Sequence, residues 1–162
     1  MGRVAAKTRI PIAAGERVTT KSEFHKLLTT GGVSILQMNL GRCGGLLEAK
    51  KIASLAEAYY AQIAPHLYNG PIGAAASFQL AACSPNFLIQ ESIETWGGFH
   101  SEVLKKPLLW EDGYIIPSRE PGLGVELNME VVRQHSPYSG DRLHLQMAPN
   151  PVDVRDTAPA KG

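Results

Sequence analysis

Four short apolar runs recur along the chain, and each ends in a polar residue: Ile10 to Arg17 (IPIAAGER), Val33 to Asn39 (VSILQMN), Ala61 to His66 (AQIAPH) and Phe87 to Glu91 (FLIQE). Runs of this length read as strands. Three of the four are followed by helical pattern. Thr20 to Ser22 resembles a helix start for Glu23 to Leu28, which Gly31 and Gly32 stop. Leu46 to Tyr60 places Leu47, Ile52, Leu55, Ala56 and Tyr59 near helical spacing, with Glu48, Lys50, Lys51 and Glu57 on the other side. Ile72 to Cys83 reads as an Ala-rich helix closed by Ser84-Pro85; it has no polar face, and so expects burial on both sides. Residues 1–8 read as the end of a helix feeding the first strand.

Strand and helix in alternation imply parallel neighbours joined by right-handed crossovers. Four such units make half of a (β/α) eight-barrel, whose usual length is about 250 residues. The predicted fold class is therefore α/β: half of a TIM-type barrel, about four βα units, plus a C-terminal extension. Half a barrel has two unpaired sheet edges, which isolated proteins usually avoid. Either the other half comes from outside this chain or the sheet stays open. Beyond strand four the alternation stops. Phe99 to Lys106 predicts one more helix, Gly113 to Pro117 a short edge strand, and Glu120 to Leu127 an extended segment leading into a helix near Asn128 to Gln134. The predicted division is 1–112 for the half barrel, 113–135 for a C-terminal segment and 136–162 for an irregular or mobile tail.

Composition adds exclusions. In 162 residues, 44% are hydrophobic and 19% charged, which is globular composition rather than disorder. A formal net charge of +1, with no basic run interleaved with aromatics, argues against a nucleic acid or an acidic membrane as partner. No run approaches the roughly 18 apolar residues of a membrane span. Cys43 and Cys83 lack disulfide or CxxC spacing and read as small apolar residues in a reducing compartment. A soluble, cytoplasmic protein is expected.

The strand ends carry the candidate chemistry, because a (β/α) barrel assembles its active site at the C-terminal ends of its strands. Glu16, beside Gly15, is either a carboxylate ligand for a hard divalent cation or a solvated turn residue paired with Arg17. His66 is either a structural hydrogen-bonding group or a general acid or base working near neutral pH. Glu91 either hydrogen-bonds a developing enolate oxygen or caps the adjacent loop.

The order IPIAAGER, then LQMNLGRCGG, then APH, then NFLIQE, then PGLGV resembles the C-terminal half of the mandelate racemase/muconate lactonizing enzyme group of the enolase superfamily. The likeness is closest to the acid-sugar, galactonate-type dehydratases, and it covers about residues 5 to 130. It implies a Mg²⁺-dependent lyase of carbohydrate acid metabolism, which removes a proton α to a carboxylate and expels the β-hydroxyl as water. In this superfamily a Lys or His base works with Mg²⁺ to stabilise an ene-diolate. Glu16 then stands at the third magnesium ligand, His66 at the catalytic histidine, and Glu91 at the acidic residue that hydrogen-bonds the substrate carboxylate. Arg17 and Trp96 fall near the mouth as substrate-binding candidates, and residues 113–135 form a capping-type segment.

Two departures follow from the same resemblance. The family's Lys-x-Lys strand and first two metal carboxylates belong to the barrel's earlier half, ahead of this chain. The family aspartate that pairs with the histidine is replaced by Asn39, which can hydrogen-bond but brings no charge. The expected partners are a small-molecule sugar acid and either the N-terminal half of the barrel or further copies of the chain. The expected function is the C-terminal part of an acid-sugar dehydratase, truncated and inactive alone. The alternatives are a non-catalytic remnant acting as an interaction or structural subunit, or a racemase or cycloisomerase of the same superfamily.

Overall fold

A computed structural model describes residues 1–92 and 96–135. The predicted tail, 136–162, lies outside the described residues. The elements run α1 (Gly2–Ala5), β1 (Ala13–Ala14), α2 (Lys21–Thr29), β2 (Ile35–Leu36), α3 (Leu46–Glu57), β3 (Gln62–Ile63), α4 (Pro71–Ala82), α5 (Phe99–Glu102), β4 (Leu109–Glu111), β5 (Tyr114–Ile116) and α6 (Met129–Gln134).

β1, β2 and β3 pair in that order, all parallel, and Phe87 continues the sheet through a parallel bridge to Ile63. All four predicted strands are therefore in place, in sequence order. Their ladder reaches beyond the two-residue cores. The Gln37 amide donates to the Ala14 carbonyl, the His66 amide to Met38, and the Leu88 amide to Ile63. These bonds carry the pairing to the strand ends, where the polar residues sit.

Alternation along a strand sends successive side chains to opposite faces. Leu36, Met38 and Ile63 point to the helices. They pack there with Phe24 and Leu28 of α2 and with Ala49, Ile52, Ala53 and Ala56 of α3, all buried. Fully burying one such large apolar side chain stabilises the fold by about 1.5–3 kcal/mol. The opposite face carries Ala13, Ile35 and Gln62 in register, and these are exposed or half-buried. That open face is the one a closed barrel would fill with side chains.

Local rules set the helix ends. Thr20 caps α2 in a capping box: its hydroxyl accepts from the Glu23 amide, while the Glu23 carboxylate accepts from the Thr20 amide. Hydrogen bonds from Thr20 and Thr19 hold the Glu23 carboxyl down at about 2. Pro71 opens α4 at a position where no amide is needed. From α3, Lys50 Nζ donates 2.6 Å to the Cys83 carbonyl at the end of α4, a cation on a helix C-terminus. Asn86 Nδ2 ties the Ala53 and Ala61 carbonyls together, joining α3 to the start of β3.

Several expectations need correction. The helix predicted over Phe99 to Lys106 ends at Glu102, with Leu104 and Lys105 instead meeting Leu127 and Glu126 in extended pairing. The edge strand predicted at Gly113 to Pro117 is one arm of a hairpin, β5 pairing antiparallel with the unpredicted β4. Asp112 and Gly113 both have positive φ, the pattern of a two-residue hairpin turn. The division drawn between residues 112 and 113 falls inside that turn. Burial of α4 does extend to two sides, Leu80 and Ala76 packing with the α3 cluster and Ala74 and Phe78 with Leu67 and Trp96, although Ile72 is 45% exposed. Cys43 is buried, and burial pushes its thiol up, whereas Cys83 is exposed rather than packed.

Candidate active site

Asn39 and His66 stand at the ends of neighbouring strands, on the face turned away from the helices. The turn after β2 is tight, with the Arg42 and Cys43 amides both donating to the Asn39 carbonyl. That turn fixes the backbone from which the Asn39 side chain projects. The side chain is buried, 2% exposed, and uses its polar atoms fully. Its Nδ2 lies 2.9 Å from His66 Nδ1 and 3.3 Å from Asn69 Oδ1, while its Oδ1 accepts from Asn69 Nδ2 at 3.3 Å. A buried amide left unpaired costs about 1–3 kcal/mol, so these contacts are what permit Asn39 to lie here.

On the other side of the ring, His66 Nε2 lies 4.0 Å from Glu91 Oε2. That is beyond hydrogen-bond length but within direct electrostatic reach. The same carboxylate oxygen accepts from the Leu67 amide at 3.0 Å, which holds Glu91 beside the histidine. Gln90 anchors the adjoining backbone. Its amide nitrogen donates to the Pro65 carbonyl at 2.9 Å and its oxygen accepts from Ser77 Oγ of α4 at 2.9 Å. The ends of β3, the fourth strand and α4 are thereby locked together around His66.

Asn39, His66 and Glu91 are thus brought into one constellation. Glu16 is separate. It sits at the end of β1 in a turn closed by the Val18 amide on the Gly15 carbonyl, and its carboxylate accepts from the Gly15 amide at 3.3 Å. Arg17 beside it is exposed. Trp96, expected near the mouth, is buried with Leu67, Ala74 and Phe78 and packs under the loop that carries His66. Its Nε1 has no hydrogen-bond partner among the described residues.

Sequence reasoning missed three groups: Asn69, Gln90 and Ser77. Asn69 lies three residues past His66, just ahead of Gly70-Pro71, a spacing that returns it to the strand end from the start of α4. Gln90 is a polar residue one position before a predicted site carboxylate, and that was the available signal for it. Ser77 had none beyond being the single hydroxyl in an apolar helix.

Among the described residues no group of three or more His, Cys, Asp or Glu side chains comes together. A hard cation such as Mg²⁺ takes several oxygen ligands. Glu16 alone does not make such a site, so the residues described do not fit a magnesium ion by themselves.

Comparison with known proteins places this geometry. D-galactonate dehydratase from Ralstonia pickettii is 42% identical over 148 residues, which are 86% of this chain and 38% of that protein. The enzyme of the same name from Pectobacterium atrosepticum is 39% identical over the same shares. A solved structure from Burkholderia SAR-1, described as a mandelate racemase/muconate lactonizing enzyme, superposes with TM-score 0.83 at 74% identity, covering 98% of this chain and 40% of that one. A mandelate racemase/muconate lactonizing enzyme from Sulfitobacter gives TM-score 0.80 at 50% identity, covering 94% and 38%. The chain therefore spans about two-fifths of the length of the relatives it matches. The family model described as enolase C-terminal domain-like matches residues 1–131, and with the parallel sheet and its polar strand ends this establishes that the chain belongs to the enolase C-terminal domain-like family.

Proposed function

We propose that this chain supplies the histidine-bearing side of the active site of an acid-sugar dehydratase. The observation that carries this reading is the convergence of Asn39, His66 and Glu91 at adjacent strand ends, in a chain 42% identical to a D-galactonate dehydratase. The reaction is removal of a proton α to a carboxylate, followed by loss of the β-hydroxyl as water. His66 faces the substrate's reacting oxygens, and Glu91 with the Leu67 amide defines one wall against which a polar acid is oriented. Glu16 is proposed as one carboxylate ligand of a magnesium site whose other ligands lie outside the described residues. No step is routed through that ion here.

A racemase or cycloisomerase built on the same site is the second reading. It rests on the group name that the structures at 74% and 50% identity carry, a group that holds racemases and cycloisomerases as well as dehydratases. The deciding experiment joins this chain to the first-half barrel of a galactonate dehydratase and incubates the product with a panel of sugar acids and Mg²⁺. Formation of an α-keto acid, lowered about 10²- to 10⁴-fold by His66→Ala, supports the dehydratase. A folded hybrid that racemises or cyclises its acids without dehydrating any of them overturns it.

A further inference from the structure

We propose that the Asn39–Asn69 amide pair holds His66 in the tautomer with its proton on Nε2, so that His66 acts as a neutral hydrogen-bond donor rather than as a proton acceptor. Asn69 is then a positioning residue. The use of that donor on a substrate rests on the dehydratase reading; the tautomer itself does not.

The argument runs from atom to atom. Asn39 Nδ2 is an amide nitrogen and can only donate, and it lies 2.9 Å from His66 Nδ1. Nδ1 must then present its lone pair, which leaves the proton of the neutral ring on Nε2. Rotating the Asn39 amide by itself would set its oxygen against Asn69 Oδ1 and its nitrogen against Asn69 Nδ2, turning both 3.3 Å bonds into repulsions. Rotating both amides together would preserve their pairing and let Asn39 accept from Nδ1–H. It would also turn the Nε2 lone pair toward the Glu91 carboxylate at 4.0 Å. The arrangement in the structure avoids that conflict, because donor and acceptor run in one direction from Asn39 through the ring to Glu91.

The consequence is chemical. An aspartate at this position would accept from Nδ1–H, fix the opposite tautomer and stabilise an imidazolium. Asn39 does neither, and Nε2 is left with a proton and no lone pair. A neutral imidazole that donates from one nitrogen can polarise a carbonyl or steady a developing oxyanion, as a histidine does in triosephosphate isomerase. Nε2 cannot take a proton without the ring first changing tautomer. The base for the α-proton then belongs to another group.

The chain with ¹⁵N-labelled histidine tests this directly. Two-bond proton–nitrogen correlation identifies which ring nitrogen of each of the five histidines carries the proton, and loss of one pattern in His66→Gln assigns His66. The expected result is a neutral ring protonated at Nε2, a shift of the proton to Nδ1 in Asn39→Asp, and a mixture of both tautomers in Asn69→Ala. Unperturbed patterns from the other four histidines verify that each variant is folded. Protonation of His66 at Nδ1 in the unmodified chain overturns the proposal, as does an Asn69→Ala spectrum identical to that of the parent. Neither result depends on the substrate, so failure of the dehydratase assay leaves the tautomer assignment standing.

Discussion

A methyl group added at Gly73 would lie 2.7 Å from Asn69 Cβ, so the bare backbone in the first turn of α4 is what gives Asn69 room to face Asn39. Helix propensity alone would favour Gly73→Ala by about 0.8–1 kcal/mol. Overpacking against a Cβ, which cannot swing aside like a chain end, costs about 1–3 kcal/mol. Net destabilisation is expected, with loss of the Asn39 amide pairing. A denaturation midpoint above that of the parent would mean that Asn69 has space to move.

Removing Gln90 should loosen the seat of His66. Gln90→Ala deletes the bonds to the Pro65 carbonyl and to Ser77 Oγ, and leaving those groups unpaired is expected to cost about 1–3 kcal/mol. Ser77→Ala and the double variant complete a cycle. A coupling between the two side chains of about 0.5 kcal/mol or more is expected from urea unfolding, and strict additivity would deny the shared network.

Gly15 is required at the end of β1 for two reasons. Its φ is +136°, in the region that favours glycine, and a Cβ there would meet the Phe24 ring at 2.8 Å. Gly15→Ala is expected to lose about 1–3 kcal/mol and to displace Glu16 from its turn. Retention of the parent's unfolding midpoint would contradict this.

The capping box makes stability depend on acid. The Glu23 carboxyl lies at about 2 in the folded chain against an ordinary 4.5, held down first by the Thr20 hydroxyl. A depressed carboxyl contributes stability that is present above its unfolded value and is lost as pH falls through the folded one. The thermal midpoint should therefore decline between about pH 4.5 and 2. Glu23→Gln should flatten that part of the profile, and an unchanged acid slope would assign the effect to other carboxylates.

Much of the barrel was legible in one dimension. The four apolar runs, their polar ends and the α3 pattern depend on local spacing, and the structure sets all four strands side by side in chain order. Asp112-Gly113 is a hairpin-turn signal that went unread, because β4 is only three residues long and exposed throughout, so apolar alternation gave it no support. The short α5 was overestimated for a related reason. Around the Leu104–Leu127 bridge, the Lys105 amide donates to the Glu126 carbonyl and the Val103 carbonyl accepts from the Asn128 amide, partners more than twenty residues away that no local pattern reveals.

The amino-acid sequence by itself determined which residues stand at the strand ends, because strand length and side-chain period follow from local apolar and polar order. It placed Glu16, Asn39, His66 and Glu91 there, and the resemblance to the family marked Asn39 as a neutral group where an aspartate was expected. Tertiary structure alone decided what those residues touch. Asn69 reaches Asn39 only because α4 begins beside the end of β2, and Trp96 turns inward only because Leu67, Ala74 and Phe78 close over it. Hydrogen-bond direction is likewise a property of three dimensions: the site of the His66 proton depends on an amide thirty residues from Asn39 and on a carboxylate from the next strand.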